Sequence, residues 1–103
     1  MTKDDMAMVA MEIVAYSGDA RTKYLDAMDA IGDKDFDKAK ALIKEGDDLI
    51  LGAHNQQTEL ITKEAAGEDI EIGFLKVHAQ DHLMTAMLLS DIDKRLIKIF
   101  QKN

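Results

Sequence analysis

Not one of the 103 residues is a proline. A proline inside a helix removes a hydrogen bond, clashes with the preceding turn and costs about 3 kcal/mol. With none present, and with Ala, Leu, Met, Lys and Glu abundant, local propensity favours long helices, and strand-like alternation is hard to find. Punctuation falls to six glycines. The first periodic segment opens at Thr2-x-x-Asp5, a capping signature, and carries Met6, Val9, Ala10, Ile13, Ala20, Tyr24, Met28 and Ile31 along one stripe. Gly32 is its expected left-handed stop. A second segment follows the Asp33 to Asp35 turn with Phe36, Ala39, Leu42, Ile43, Ile50, Ala53, Leu60 and Ile61 on one face, interrupted by Gly46 and Gly52, and ends before Gly67. The third opens between Asp69 and Phe74 and runs to about Phe100. Three helices with two short turns predict an all-α, antiparallel three-helix bundle, one domain over residues 1–103. A domain this small buries a limited core and gains from association.

Charge and composition remove several classes of function. Lys and Arg total 13 against 20 Asp and Glu, a formal charge of -7, which repels phosphate backbones and anionic lipid; nucleic acid is not an expected partner. No apolar run approaches the roughly 20 residues that span a bilayer, and Met1 to Asp5 lack the apolar core of a signal peptide, so direct membrane insertion is not expected and the chain is expected in the cytoplasm. Cysteine is absent, which excludes disulfides, thiolate metal sites and cysteine nucleophiles. Covalent chemistry is left to His, carboxylate and hydroxyl groups.

The third helix breaks its own pattern. At about 100° per residue, Lys76, Gln80, Ser90, Asp91, Lys94, Lys98 and Gln101 gather on an outward, wet sector. The apolar side, with Phe74, Leu75, Val77, Met84, Leu88, Leu89, Ile92, Leu96 and Ile99, spans roughly 200°, about twice what one packing partner requires. Two neighbouring helices would cover part of it, and the remainder predicts contact with another subunit. Near the centre of this sector lie His78, Asp81, His82 and Thr85, brought together by spacings of three and four. Asp81, buried without a partner, would be costly, and copies meeting at a symmetry axis would bring their Asp81 side chains together unless a divalent cation such as Mg²⁺ lay between them. A neutral imidazole is a nucleophile near physiological pH. Phosphoryl transfer asks mainly for positioning and electrostatic support, so a carrier with no Gly-rich loop suffices if its donor is already activated.

The string His78-Ala79-Gln80-Asp81-His82-Leu83-Met84, followed by Thr85-Ala86-Met87-Leu88-Leu89, resembles the lactose/cellobiose class of phosphotransferase-system IIA components. The resemblance extends to Ile13-Val14-Ala15-Tyr16-Ser17-Gly18 with Ala20-Arg21, to Ala53-His54 with Gln57-Thr58, and to Glu64-Ala65-Ala66-Gly67-Glu68. It implies a homotrimer of three-helix subunits in which His78 takes a phosphoryl group from the histidine phosphocarrier protein and gives it to a cysteine of the IIB component during disaccharide uptake. It further implies that Asp81 is the ligand each subunit offers to a shared metal, and that His82 and Gln80 shape the phosphate site. Gln80 ranks below His82 because its sector points outward.

Plainer readings stand beside these. A histidine on an apolar helix face is more often a hydrogen-bonded packing residue than a reactive one. His78 and His82 with Asp81 also suit Zn²⁺, which makes a non-catalytic metal-binding oligomer the alternative; a structural adaptor whose polar residues fix register is a further one. His54 and Gln57 read as an interhelical polar pair, the methionines as packing residues, and Arg21 as a surface charge.

Overall fold

A computed structural model describes residues 2–102. They form three helices, α1 (Lys3–Gly32), α2 (Phe36–Ala65) and α3 (Phe74–Gln101), with no strand among the described residues. Met1 and Asn103, the ends of the expected domain, lie outside them. The bundle measures 52 × 21 × 19 Å, its length set by helices of 30, 30 and 28 residues rising about 1.5 Å per residue.

Each helix end follows from local chemistry. Thr2 caps α1 as expected: its hydroxyl accepts from the Asp5 amide at 3.1 Å while the Asp5 carboxylate accepts from the Thr2 amide at 2.9 Å. Hydrogen bonding to its carboxylate from the Thr2 amide, and then from the Thr2 side chain, holds the Asp5 carboxyl below its ordinary pKa. The other end of α1 falls at Gly32 as expected, but the glycine is not the left-handed residue. Gly32 stays helical, and the left-handed residue is Lys34, at φ 60. The Asp33 amide still reaches Asp29 O at 3.1 Å, and the chain then reverses through Asp35 N to Ala30 O at 2.9 Å. Continued helical bonding through Asp33 therefore moves the reversal two residues past the glycine. Asp35 then caps α2 by accepting from the Lys38 amide at 3.2 Å. Gly67, at φ 96, does take the left-handed position after α2. Its own amide bonds Glu64 O at 3.0 Å and that of Glu68 bonds Lys63 O at 3.1 Å, which satisfies two terminal carbonyls.

The seam between the helices is built from small residues. Ala10, Ala20, Ala27 and Ala30 of α1, Ala39 and Ala53 of α2, and Ala79 and Ala86 of α3 are all buried. Gly46 is buried with them and lets the Tyr24 ring lie against α2; a Cβ there would stand 2.6 Å from Tyr24 Cε1. The glycine that interrupts the helical pattern of α2 is thus a packing position.

This seam reverses part of the α3 expectation. Its buried face is Ala79, Leu83, Ala86, Ser90, Asp93 and Ile97, spaced four and three apart throughout. Ser90, expected on the wet sector, is inside, and Gln80 and Lys76 are half-buried. Of the broad apolar side, Leu89 and Leu96 pack against the core, while Phe74, Leu75, Val77, Met84, Leu88, Ile92 and Ile99 are exposed. Closely spaced helices take the narrow side chains between them and leave the wide ones outside. Met8, Met11 and Met84 are also exposed, against their expected packing roles, while Met6 is buried.

Candidate functional site

The residues singled out on α3 occupy its outward face, anchored from behind by buried Ala79 and Leu83. His78 is exposed and His82, one turn on, is half-buried. Their rings meet edge to face, with centroids 4.5 Å apart and planes at 75°. The two Nε2 atoms are 3.1 Å apart, so a neutral pair shares one proton between them. Nδ1 of His82 is buried without a hydrogen-bond partner. A proton on that nitrogen would be an orphaned buried donor, so the favoured tautomer carries it on Nε2. His82 then donates to His78, whose Nε2 presents the lone pair. The Thr85 hydroxyl donates to Asp81 O at 2.6 Å and occupies the carbonyl next to His82.

Asp81 is exposed in the single chain, so the buried charge envisaged from the sequence would arise only on contact with another copy. Gln80 is held from α2, where the buried Gln57 amide donates to its Oε1. Gln57 thus bonds across the helices to Gln80, a residue that the resemblance places at the phosphate site. A groove of about 350 Å³ beside the motif is lined by Leu60, Ile61, Ile72, Val77, Gln80 and Asp81. His54 lies nearer the start of α2, in a groove with Met87, Ser90 and Lys94, and Arg21 is exposed. Among the described residues no three His, Asp or Glu side chains converge as a metal site. One chain therefore offers Zn²⁺ two imidazoles and no third ligand, and offers a hard cation one Asp81 carboxylate.

A second polar cluster went unread in the sequence. Asp47 accepts from Tyr24 Oη at 2.7 Å, Ser90 Oγ at 2.6 Å and Lys94 Nζ at 2.8 Å. Burial pushes its carboxyl pKa up, but the hydrogen bonds from Lys94, Ser90 and Tyr24 outweigh that and hold it below the ordinary value. The Tyr24 phenol is raised by burial and by its bond to Asp47. Asp93 is fully buried with neither carboxyl oxygen bonded, and burial, then the Asp47 charge, lift it to about 6. The signal was present in the unbroken four-and-three spacing from Ala79 to Ile97.

A histidine pair on the outer face of the last helix in a three-helix bundle defines a class before any relative is considered: an all-helical protein that presents an imidazole on an open surface. Residues 8–101 match the family described as PTS system, Lactose/Cellobiose specific IIA subunit. A lactose-specific EIIA component of Staphylococcus epidermidis is 47% identical over 102 residues, covering 99% of this chain and 98% of the relative. The crystal structure of PtcA from S. mutans superposes with a TM-score of 0.96 at 36% identity, covering 98% of this chain and 99% of that one. The IIA(Chitobiose) subunit, solved in complex with HPr from the Escherichia coli phosphotransferase system, gives a TM-score of 0.77 at 34% identity over 92% of each chain. The chain belongs to the lactose/cellobiose-specific IIA family of the phosphotransferase system. No helix among the described residues is long and apolar enough to cross a membrane.

Proposed function

We propose that this chain is a phosphocarrier that accepts a phosphoryl group on His78 from the histidine phosphocarrier protein and passes it to a cysteine of the IIB component. The observation that carries this reading is the His78–His82 pair: an exposed imidazole whose Nε2 lone pair is set by a half-buried neighbour donating at 3.1 Å. In the forward step a bond forms between phosphorus and Nε2 of His78 as the donor's phosphorus–nitrogen bond breaks. The proton on Nδ1 of His78 stays in place, and the His82 Nε2–H is freed to donate to a phosphoryl oxygen. Attack by the IIB thiolate reverses the sequence of bonds and returns His78 to its lone-pair form. The HPr-bound relative supports the choice of donor, and the half-buried Gln80 beside Asp81 supports a role in the phosphate site.

The same reading assigns Asp81 to a shared Mg²⁺ in a homotrimer in the cytoplasm. A chain with one exposed carboxylate fits such an ion only where several copies bring their Asp81 side chains together, and a bound cation would offset their mutual repulsion there. The transported sugar is a disaccharide of the lactose, cellobiose or chitobiose class.

Incubation with phosphoenolpyruvate, enzyme I and the histidine phosphocarrier protein should add one acid-labile phosphate per chain, read by intact-mass spectrometry. His78→Gln should remain unlabelled while keeping its helical circular dichroism. A labelled His78→Gln protein would refute the assignment.

A further inference from the structure

We propose that Asp93 is a proton-operated latch: held neutral, it lets the C-terminal half of α3 close on α1 and α2, and on losing its proton it loosens that half. The inference is independent of the phosphocarrier reading and rests on how donors are shared inside the bundle. Three elements converge at this level. From α1 comes Tyr24, from α2 Asp47, and from α3 Ser90, Asp93 and Lys94. The Tyr24 and Ser90 hydroxyls, with one proton each, both donate to Asp47, and the Lys94 ammonium pairs with it as well. Asp93 is 0% exposed and has no hydrogen-bond partner on either oxygen. Three groups serve one carboxylate, and none of them reaches the other.

A second buried negative charge beside Asp47 has two ways to be relieved. It can draw Lys94, Ser90 or Tyr24 away from Asp47, or α3 can part from α2 and admit water. The second route is short, because a groove of about 270 Å³ lined by Asp47, His54, Ser90, Asp91 and Lys94 already opens at this level. The helix pair it would part, α2 with α3, has the thinnest interface in the bundle. Either route weakens the closure of Ser90 to Ile97 against the core, while the His78 turn, three turns nearer the start of α3, is spared.

The sign follows from linkage. The folded-state pKa of Asp93, about 6, stands above its ordinary 3.8, so its stabilising contribution is complete below that ordinary value and is lost as pH rises through about 6. Asp47, held low, is ionised throughout that upper range and contributes a constant. For these two pKa values the folded-to-unfolded ratio should fall about tenfold between about pH 5 and about pH 8.

The test uses the full chain. Carboxyl ¹³C NMR should show Asp93 titrating near about 6, and hydrogen exchange, corrected for intrinsic rates, should show amides from Ile92 to Ile99 losing protection over the same range. Asp93→Asn, neutral at every pH, should lack both the tenfold fall and the local loss of protection, with the histidine contributions common to both proteins. An Asp93 midpoint near the ordinary carboxylate value of about 4 would overturn the proposal. So would an Asp93→Asn protein with the parent's pH response.

Discussion

At the scale of single residues, the structure is governed by size at some positions and by the placement of protons at others. Gly46 shows the first. With the Tyr24 ring 2.6 Å from where its Cβ would be, and Tyr24 itself fixed by a 2.7 Å bond to Asp47, the ring has little freedom to retreat. Gly46→Ala should therefore destabilise the fold by about 1–3 kcal/mol, the usual range for overpacking, despite the higher helix propensity of alanine. Urea unfolding would measure it, and a variant as stable as the parent would mean the ring moves freely. The histidine pair shows the second kind of control. His82 meets the exposed imidazole through its one nitrogen that has a partner, so the favoured tautomer of the pair follows from the lack of an acceptor on the far side of the His82 ring.

At the scale of elements, the ends of the helices carry most of the difference between pattern and structure. Lys34 holds φ 60, a conformation that costs a side chain with a Cβ about 1 kcal/mol and costs glycine little. Lys34→Gly should accordingly leave α1 and α2 unchanged and raise stability by up to about 1 kcal/mol, measurable as a higher thermal midpoint. A lower midpoint would show that the larger backbone entropy of glycine in the unfolded chain outweighs the relief. Thr2 was legible as a cap, and Asp35 and Gly67 as the bounds of α2, because such signals depend on residues adjacent in sequence. The end of α1 at Gly32 was legible too, but not the residue that turns left-handed: hydrogen bonds to Ala30 and Ile31 put the reversal at Lys34. The α3 motif was legible as spacing, from His78 through Asp81 to His82. Its inner face was not, because hydrophobicity marks large side chains, whereas this seam selects narrow ones, with Ala86, Ser90 and Asp93 inside and Leu88 outside. Helix periodicity located the face correctly only when read without regard to polarity.

At the scale of the whole molecule, the outward side of α3 remains to be accounted for. Val77, Asp81, Met84, Leu88, Ile92 and Ile99 recur at intervals of three, four and seven along it, and Met84 and Leu88 are 52% and 56% exposed. That is the spacing of a helical seam, in which apolar side chains meet their equivalents on a neighbouring helix. Asp81 is the one carboxylate in the stripe. Three copies joined along it would place three Asp81 carboxylates at one level, where attraction along most of the seam meets repulsion at one turn. Assembly should therefore depend on both terms. Leu88→Lys should convert a trimer into monomers by sedimentation velocity, because three ammonium groups would converge at a dry level with no acceptor. Removal of divalent cations with a chelator should weaken the parent trimer and leave an Asp81→Leu trimer unaffected, since the repulsion that the cation offsets is gone. A parent that sediments as a monomer at every protein concentration, with or without Mg²⁺, would overturn the trimer and the shared-ion assignment together. The labelling of His78 would still be decided by its own experiment.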